Sequence, residues 1–358
     1  MLLVDAHEDL AWNILTFQRD YSRSAAEIRQ SEAGSLIGQW NGDTLLGWQD
    51  YQRGQVMLVF ATLFAAPLRK KLGDWDTQCY RDSRQAKALY RTQIDVYQKL
   101  VEQHPEKFTL IQTQSSLQDL RKDWGQAKET HPVGLLLLME GAEAIEHPRE
   151  VEEWWDAGVR ILGPAWAGNP FCGGTNEPGE LTKLGRQLLE AMAGVGFALD
   201  LSHMDEKAAL QAIDIYEGKV IATHANAKAL LKGSESNRHL SDPVIRRLVE
   251  RDGVIGVIPY NAFLKAGWKS GDPREAVTLL DVVAQIDYIC QVAGDSQHVG
   301  IGSDFDGGFG WQSVPAEVNT IADLQKLAPL LAERGYSNED IENIFSANWL
   351  RTCQDFLP

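Results

Sequence analysis

Apolar residues recur along the chain in short, nearly continuous runs, and most runs are followed by a segment with helical periodicity. Such runs are typical of strands that are buried on both faces, as in a parallel sheet covered by helices. The pattern predicts eight strands, at residues 2–6, 56–64, 133–140, 159–166, 196–203, 219–226, 253–260 and 298–305.

The segments between these runs place apolar residues at helical spacing, and several of them end in glycine, as helices often do. The predicted helices lie at 83–104, 148–158, 184–196, 205–218, 242–253 and 279–294. Eight strands that alternate with helices indicate an α/β fold of the (β/α)8 TIM-type barrel class. We interpret 14–54 and 65–82 as loop insertions and 320–358 as additional C-terminal helices, all within a single domain, 1–358.

Composition and charge reduce the range of functions that the protein could have. The chain has 358 residues with a formal net charge of −16, which argues against nucleic-acid or anionic-membrane binding because phosphate recognition needs clustered Lys and Arg. No apolar run approaches the roughly 20 residues that a membrane span requires. The N-terminus lacks a basic region followed by a long apolar segment, so we predict a cytoplasmic protein. The four cysteines form no CxxC pair and are expected to be free thiols.

Titratable side chains are concentrated where the predicted strands end. The first strand runs into "DAHEDL", where His7 and Asp9 can share one face while Glu8 points away. The third, fifth, sixth and eighth strands contribute one group each, namely Glu140, His203, His224 and Asp304. Because the C-terminal ends of barrel strands meet at one mouth, we expect these six side chains to lie together.

Imidazoles and carboxylates without thiolates suit Zn²⁺ in a catalytic site. Five ligands exceed the need of one tetrahedral zinc but suffice for two ions if one carboxylate bridges them. We therefore predict two Zn²⁺, one held by His7 and Asp9 and one by His203 and His224, with Glu140 as the bridge. Asp304 is then the proton shuttle. Taken singly, each of these residues could equally be structural, a helix cap or a turn residue; the prediction depends on their coincidence.

The motifs "DAHEDL", "MEGAEAI", "LDLSHMD", "THANAKAL", "NRHLSD" and "HVGIGSDFDGG" resemble, in the same order, those of the membrane (renal) dipeptidase family of zinc peptidases. The resemblance spans roughly residues 2–310 and implies the same binuclear zinc centre. It also places Arg238 where the family binds the C-terminal carboxylate of a dipeptide, and Tyr260 where a tyrosine lines the substrate. The expected partner is therefore a small molecule, a dipeptide, and a homodimer is left open.

One position departs from the family pattern. Where family members carry a histidine after the fourth strand, this chain has Trp166, whose indole N–H can donate one hydrogen bond but cannot become a cation. Three explanations stay open: one metal alone stabilises the oxyanion, Asn169 supplies another donor, or the preferred substrate differs. An oxyanion donor is worth about 3 kcal/mol, so the difference bears on rate and substrate choice.

The sequence thus favours hydrolysis of a dipeptide by a metal-bridging hydroxide, with Asp304 transferring the proton to the leaving amine. A binuclear amidohydrolase acting on a lactone or another small amide is the first alternative. A metal-binding homologue that has lost catalysis is the second. Of the remaining histidines, His239 is predicted to flank the pocket, and the others are predicted to be solvated, namely His104, His131, His147 and His298.

Overall fold

The computed structural model describes residues 1–358 and contains eleven strands. They are β1 (Leu3–Glu8), β2 (Val56–Leu63), β3 (Ala66–Pro67), β4 (Cys79–Tyr80), β5 (Phe108–Leu110), β6 (Val133–Glu140), β7 (Val159–Gly163), β8 (Ala198–Asp200), β9 (Val220–Ile221), β10 (Ile255–Val257) and β11 (Val299–Ile301). Eight of them pair in parallel in the order β10-β11-β1-β2-β6-β7-β8-β9, and β5 pairs with β6 outside this path. The strand order and parallel pairing confirm the predicted α/β barrel.

The longest strands are those whose apolar runs are longest. Every residue of β2 and of β6 is buried, as the continuous runs predict. Four of the barrel strands, β8 to β11, are only two or three residues long, much shorter than predicted. Buried residues continue beyond each of them, although the ladder of sheet hydrogen bonds has ended.

The barrel closes between β9 and β10 through a narrow seam. A single parallel bridge joins Ala222 to Ile255. Beyond it, the side chain of Asn226 takes the place of a strand backbone: its Nδ2 donates to Ile258 O at 3.0 Å, and its Oδ1 accepts from Ile258 N at 2.9 Å. The seam therefore depends on one buried amide side chain as well as on backbone pairing.

The structure has fifteen α-helices. They are α1 (Leu10–Phe17), α2 (Ala25–Glu32), α3 (Ile37–Trp40), α4 (Trp48–Gly54), α5 (Ser83–Gln103), α6 (Gln114–Trp124), α7 (Val151–Asp156), α8 (Lys183–Val195), α9 (Glu206–Ile215), α10 (Asp242–Glu250), α11 (Asn261–Leu264), α12 (Leu279–Ala293), α13 (Leu327–Glu333), α14 (Asn338–Glu342) and α15 (Asn348–Phe356). Short 3-10 turns lie at Leu68–Lys70, Pro148–Glu150, Lys228–Leu230, Arg274–Ala276, Trp311–Ser313 and Ile321–Lys326, and a π-turn at Asn343–Ala347.

The additional C-terminal helices predicted at 320–358 are present, and α15 packs against β1 and β11. Trp349 of α15 is fully buried, donates from its indole N–H to Ile301 O at 3.0 Å, and meets Phe60 edge-on at 5.4 Å between ring centroids. Gly300 permits this approach, since a Cβ built on it would lie 2.2 Å from the indole nitrogen.

The prediction of a long loop at 14–54 is corrected, because the second half of α1 and all of α2, α3 and α4 lie within that segment. Ser24 caps α2 in a capping box with Glu27, a local signal that the sequence does contain. The second insertion, 65–82, carries the short parallel pair β3–β4. All four cysteines are free, as predicted.

One stretch, Arg274–Ala293, is long and apolar enough to cross a membrane by length and composition, with a mean hydropathy of 1.4. The sequence analysis predicted no such stretch, and by length and composition that prediction is wrong. The stretch comprises a 3-10 turn and α12, and the apolar side chains of α12 that face the barrel are buried, among them Val282, Ile286 and Ile289. A core helix passes the same test, so this single helix is weak evidence for a membrane span.

A buried ionic network ties the first insertion to the loop after β11. Asp306 is fully buried and accepts hydrogen bonds from Tyr21 Oη at 2.8 Å and Leu45 N at 2.9 Å. Arg19 lies 3.1 Å from the same carboxylate and also pairs with Glu32 at 2.8 Å. Removing one partner of a buried ion pair leaves an uncompensated charge.

We expect Asp306→Asn to lower the free energy of unfolding by about 3 kcal/mol, because Arg19 loses a buried counter-charge. Asparagine tolerates the left-handed backbone at this position (φ 63°), so the change acts through the lost charge and through an amide nitrogen that faces a hydrogen-bond donor. Thermal melting followed by circular dichroism should show a Tm lower by several degrees, whereas Asp119→Asn, an exposed surface change, should leave it unaltered. An unchanged Tm in both variants would contradict a stabilising role for the network.

Candidate metal centre

The structure brings together all six side chains that were predicted to meet. His7 lies within β1, Asp9 follows it, and Glu140 is the last residue of β6. His203, His224 and Asp304 each lie three residues beyond the end of a short strand, so they stand on the connecting loops and not, as predicted, within strands. Five of the six are buried, and Asp304 is partly exposed.

Glu140 is at the centre of the group. Its Oε1 lies 3.0 Å from His203 Nε2 and 3.3 Å from His224 Nε2. Its Oε2 lies 3.5 Å from His7 Nε2, on the other side of the carboxylate. The two oxygens therefore face different imidazoles, which is the arrangement that a bridging carboxylate requires.

A second group of donors surrounds His7. Its Nε2 lies 3.7 Å from Asp9 Oδ2 and 3.8 Å from Asp304 Oδ1. The donor atoms of His7, Asp9 and Asp304 lie within 4.8 Å of one another, as do those of His7, Glu140 and His224. Asp9 Oδ1 is buried without a hydrogen-bond partner. Glu8 points away from the group, as predicted, and accepts a hydrogen bond from the Tyr51 hydroxyl.

The protonation states of Glu140, His203 and His224 suit metal binding. Burial disfavours the charged form of His7, but the charges of Glu140 and Asp9 raise its pKa well above the ordinary value, so His7 must release a proton when a metal binds. Burial and the charge of Arg238 lower the pKa of His203 to about 4, and burial with the charge of His7 lowers that of His224 well below its ordinary value. Burial opposes ionisation of Glu140, but the charge of His7 and the hydrogen bond from His203 lower its pKa well below the ordinary value. Neutral imidazoles and an ionised carboxylate are the forms that coordinate metals. The donor set and the partnerless Asp9 oxygen fit a metal centre.

Buried acids bend the chain so that the ligands face inward. Asp200, at the end of β8, accepts hydrogen bonds from Ser202 N at 3.0 Å, Thr223 N at 2.9 Å and Thr223 Oγ1 at 2.6 Å. It thus fixes the loops that carry His203 and His224. Asp5 does the same near β11, where it accepts from Ser303 N at 2.6 Å. These turns end β8, β9 and β11 early and leave His203 and Asp304 with positive φ, 67° and 58°.

Threonine hydroxyls orient the imidazoles from behind. Thr175 Oγ1 lies 2.9 Å from His203 Nδ1, and Thr223 Oγ1 lies 2.9 Å from His224 Nδ1. Such hydrogen bonds fix the ring and the tautomer that presents Nε2 to a metal. Sequence reasoning missed these threonines and the two aspartates, although Asp5 and Asp200 each stand just before a predicted ligand in "DAH" and "DLSH".

A cavity of about 280 Å³ opens beside the metal centre, and its lining includes Asp9, Glu140, His203 and Asp304. Much of its remaining wall is aromatic, with Trp12, Phe64, Trp166, Tyr260, Phe263 and Phe309.

Arg238 reaches into the cavity from a buried position. It is 3% exposed, and its Nη2 donates to His224 O at 2.8 Å. Its Nε and Nη1 have no hydrogen-bond partner. A surface arginine, the ordinary alternative for this residue, is therefore excluded, and the unpartnered Nε and Nη1 donors of the guanidinium are suited to a carboxylate.

Two of the other predicted pocket residues line the cavity and one does not. Tyr260 stacks on Phe309 at 4.2 Å between ring centroids, and Trp166 packs against Phe64 at 5.1 Å. Asn169 is a correction: its Nδ2 donates to Pro164 O at 2.8 Å and to Glu143 Oε1 at 3.2 Å, so it stabilises its own loop. It lines a neighbouring cavity and is not the missing donor.

The model of the membrane dipeptidase family, peptidase family M19, matches residues 1–356. The chain belongs to this family. The resemblance recognised in its motifs is thus confirmed, as is the prediction of an enzyme of the metallo-dipeptidase class.

Known relatives agree with this assignment. An uncharacterized protein of Klebsiella pneumoniae is 32% identical over 65% of this chain and 86% of its own length. A dipeptidase of Aspergillus terreus is 29% identical over 98% of this chain and 84% of its own length. The crystal structure of a metallopeptidase from Rhodobacter sphaeroides, liganded with a phosphinate mimic of L-Ala-D-Ala, superposes with a TM-score of 0.80. Each chain is covered to 99%, and at 21% identity this similarity shows the fold.

The remaining histidines lie outside the metal centre. His239 is buried edge-on to Phe263 at 4.9 Å, near the pocket as predicted. His131 was predicted to be solvated, and this is corrected: it is buried, pairs with Asp123 at 2.8 Å and stacks on Trp124. His298 lies 2.9 Å from Gly253 O at the opposite end of the barrel from the metal centre.

Proposed function

We propose that this member of the membrane dipeptidase family is a zinc-dependent hydrolase of dipeptides. The observation that carries the proposal is the position of Glu140, whose two carboxylate oxygens face the imidazoles of His203 and His224 on one side and of His7 on the other. Beside this centre lies a cavity with a buried, partly unpaired arginine.

His7 and Asp9 would hold one Zn²⁺, His203 and His224 the other, and Glu140 both. Two such ions would supply a hydroxide at neutral pH and polarise the scissile carbonyl. Arg238 binds the C-terminal carboxylate of the substrate through donors that have no partner in the protein. Asp304, which lines the same cavity, accepts the proton of the attacking water and returns it to the leaving amine.

Trp166 takes the place where the resemblance implies a histidine, and it lies 6.1 Å from His203 between ring centroids. With Asn169 withdrawn, we propose that metal polarisation alone stabilises the oxyanion, or that Trp166 shifts the substrate preference. A lactone or other small amide stays the alternative substrate class. The complete set of six centre residues argues against a homologue that has lost catalysis. A cytoplasmic location and a homodimer likewise remain proposals.

Chelation tests the metal requirement. Dialysis against a chelator should abolish dipeptide hydrolysis and lower the Tm, because several buried donors lose their common partner. Re-addition of Zn²⁺ should restore both, and elemental analysis should give two equivalents per chain at full activity. Undiminished hydrolysis by protein shown to be free of metal would exclude the proposed function.

A further inference from the structure

A fourth carboxylate lines the cavity apart from the metal centre. Three of the four acids in the wall, Asp9, Glu140 and Asp304, approach His7. The fourth, Asp76, belongs to the second insertion, 65–82, and is 3% exposed. Its Oδ2 accepts from Leu72 N at 3.2 Å, whereas its Oδ1 is buried with no hydrogen-bond partner. A buried carboxylate oxygen that is unpaired in a cavity wall is costly unless a ligand completes it.

The lysines near Asp76 in the sequence pair with other carboxylates. Lys70 pairs with Glu177 at 3.2 Å, and Lys71 lies 3.9 Å from Asp74. Burial and the Asp76 carboxylate raise the pKa of the Cys79 thiol to about 12, so this neighbour stays neutral. The Asp76 carboxylate therefore has no cationic side chain paired with it, and the neutral Cys79 thiol is its hydrogen-bonding neighbour.

Aromatic packing holds Asp76 in place. The adjacent Trp75 stacks on Trp40 at 5.6 Å between ring centroids with an interplanar angle of 10°, and it packs on Phe17 at 5.5 Å. Trp75 also meets Trp12 edge-on at 6.3 Å, and Trp12 itself lines the cavity. The insertion is thus packed against α1 and α3 through Trp75, and the adjacent Asp76 lines the cavity.

We propose that Asp76 binds the α-ammonium group of the substrate, so that the cavity selects compounds with a free amino terminus. A dipeptide is a zwitterion, and this cavity offers one unpaired buried cation, Arg238, and one unpaired buried anion, Asp76. An N-acyl amino acid or a lactone has no ammonium group that could donate a hydrogen bond to Asp76 Oδ1. The inference rests on the proposed dipeptidase function and identifies which of the competing substrate classes it serves.

The test compares alanyl-alanine with its desamino analogue, propionyl-alanine, in the zinc-loaded full-length enzyme. The wild type should prefer the free amine. Asp76→Asn keeps the size of the side chain and an acceptor for Leu72 N, and it should raise KM for the dipeptide about 10- to 100-fold with a smaller change in kcat. Hydrolysis of propionyl-alanine should change little. The matched control is Asp74→Asn, which removes the same charge from an exposed position on the same insertion.

A preference for the free amine that survives in Asp76→Asn would overturn the inference while leaving the dipeptidase proposal intact. Equilibrium binding separates the two further. In the Asp304→Asn background, calorimetry should show that the dipeptide binds more tightly than propionyl-alanine and that Asp76→Asn removes the difference. If the wild type hydrolyses no dipeptide yet this binding pattern holds, the proposed function fails and the ammonium site stands; equal binding of both compounds to both variants overturns the site.

Discussion

Glu140→Gln should reduce dipeptide turnover by about 1,000-fold or more, because the amide replaces the one group that faces the imidazoles of His7, His203 and His224. An amide nitrogen cannot ligate a metal as a carboxylate oxygen does, so elemental analysis should also show fewer than two zinc equivalents. The measurement is kcat/KM for a dipeptide together with metal content on the same preparation.

The control for this change lies three residues away. Burial raises the pKa of Glu143 to about 7, and this side chain accepts a hydrogen bond from Asn169 outside the metal centre. Glu143→Gln should therefore retain both zinc ions and most of the activity. If Glu140→Gln kept full zinc and full turnover, the bridging assignment and the mechanism built on it would both be wrong.

Arg238→Ala should lower kcat/KM for dipeptides by about 100-fold, since the substrate carboxylate loses a buried partner that can donate two hydrogen bonds. Arg238→Lys should recover only part of this loss, because an ammonium lacks the planar fork. The comparison substrate is a dipeptide amide, which has no terminal carboxylate and should be hydrolysed similarly by wild type and variant.

Two further measurements make that prediction specific. Arg238 also donates to His224 O at 2.8 Å, so zinc content must be shown to be unchanged before the kinetic loss is assigned to the substrate. A lactone panel then distinguishes the alternative class: unaltered lactone hydrolysis in Arg238→Ala, with no wild-type activity on dipeptides, would favour the competing amidohydrolase.

The sequence predicted the barrel and the residues that converge because both depend on local patterns that are strong in this chain. Continuous apolar runs such as 133–140 mark buried strands, and a His or Glu placed after such a run reaches the mouth of the barrel by topology alone. The lengths of β8, β9 and β11 were not predictable in this way. They end where the carboxylates of Asp200 and Asp5 accept hydrogen bonds from backbone N–H groups more than 20 residues away in the sequence. Hydrophobic periodicity carries no information about such contacts.

Two other features escaped sequence reasoning for the same physical reason. Asn169 was a candidate hydrogen-bond donor in the cavity. Its amide instead donates to Pro164 O and to Glu143, partners that only the folded loop brings within reach. The helices of 14–54 are short, and their stability depends on the network around Asp306, which joins residues almost 300 positions apart. Long-range polar contacts of this kind can be recognised only once the barrel has brought them together.

The seam between β9 and β10 has a consequence for how metal binding at the proposed centre would affect the barrel. His224 lies two residues before Asn226, whose side chain hydrogen-bonds across the seam. Separation of β9 from β10 would therefore move the His224 imidazole away from Glu140. A metal ion bound by His224 and Glu140 would hold the end of β9 in place, so metal binding and closure of the seam would stabilise each other. Amide protons along residues 220–226 should consequently be the ones whose exchange slows most on zinc loading.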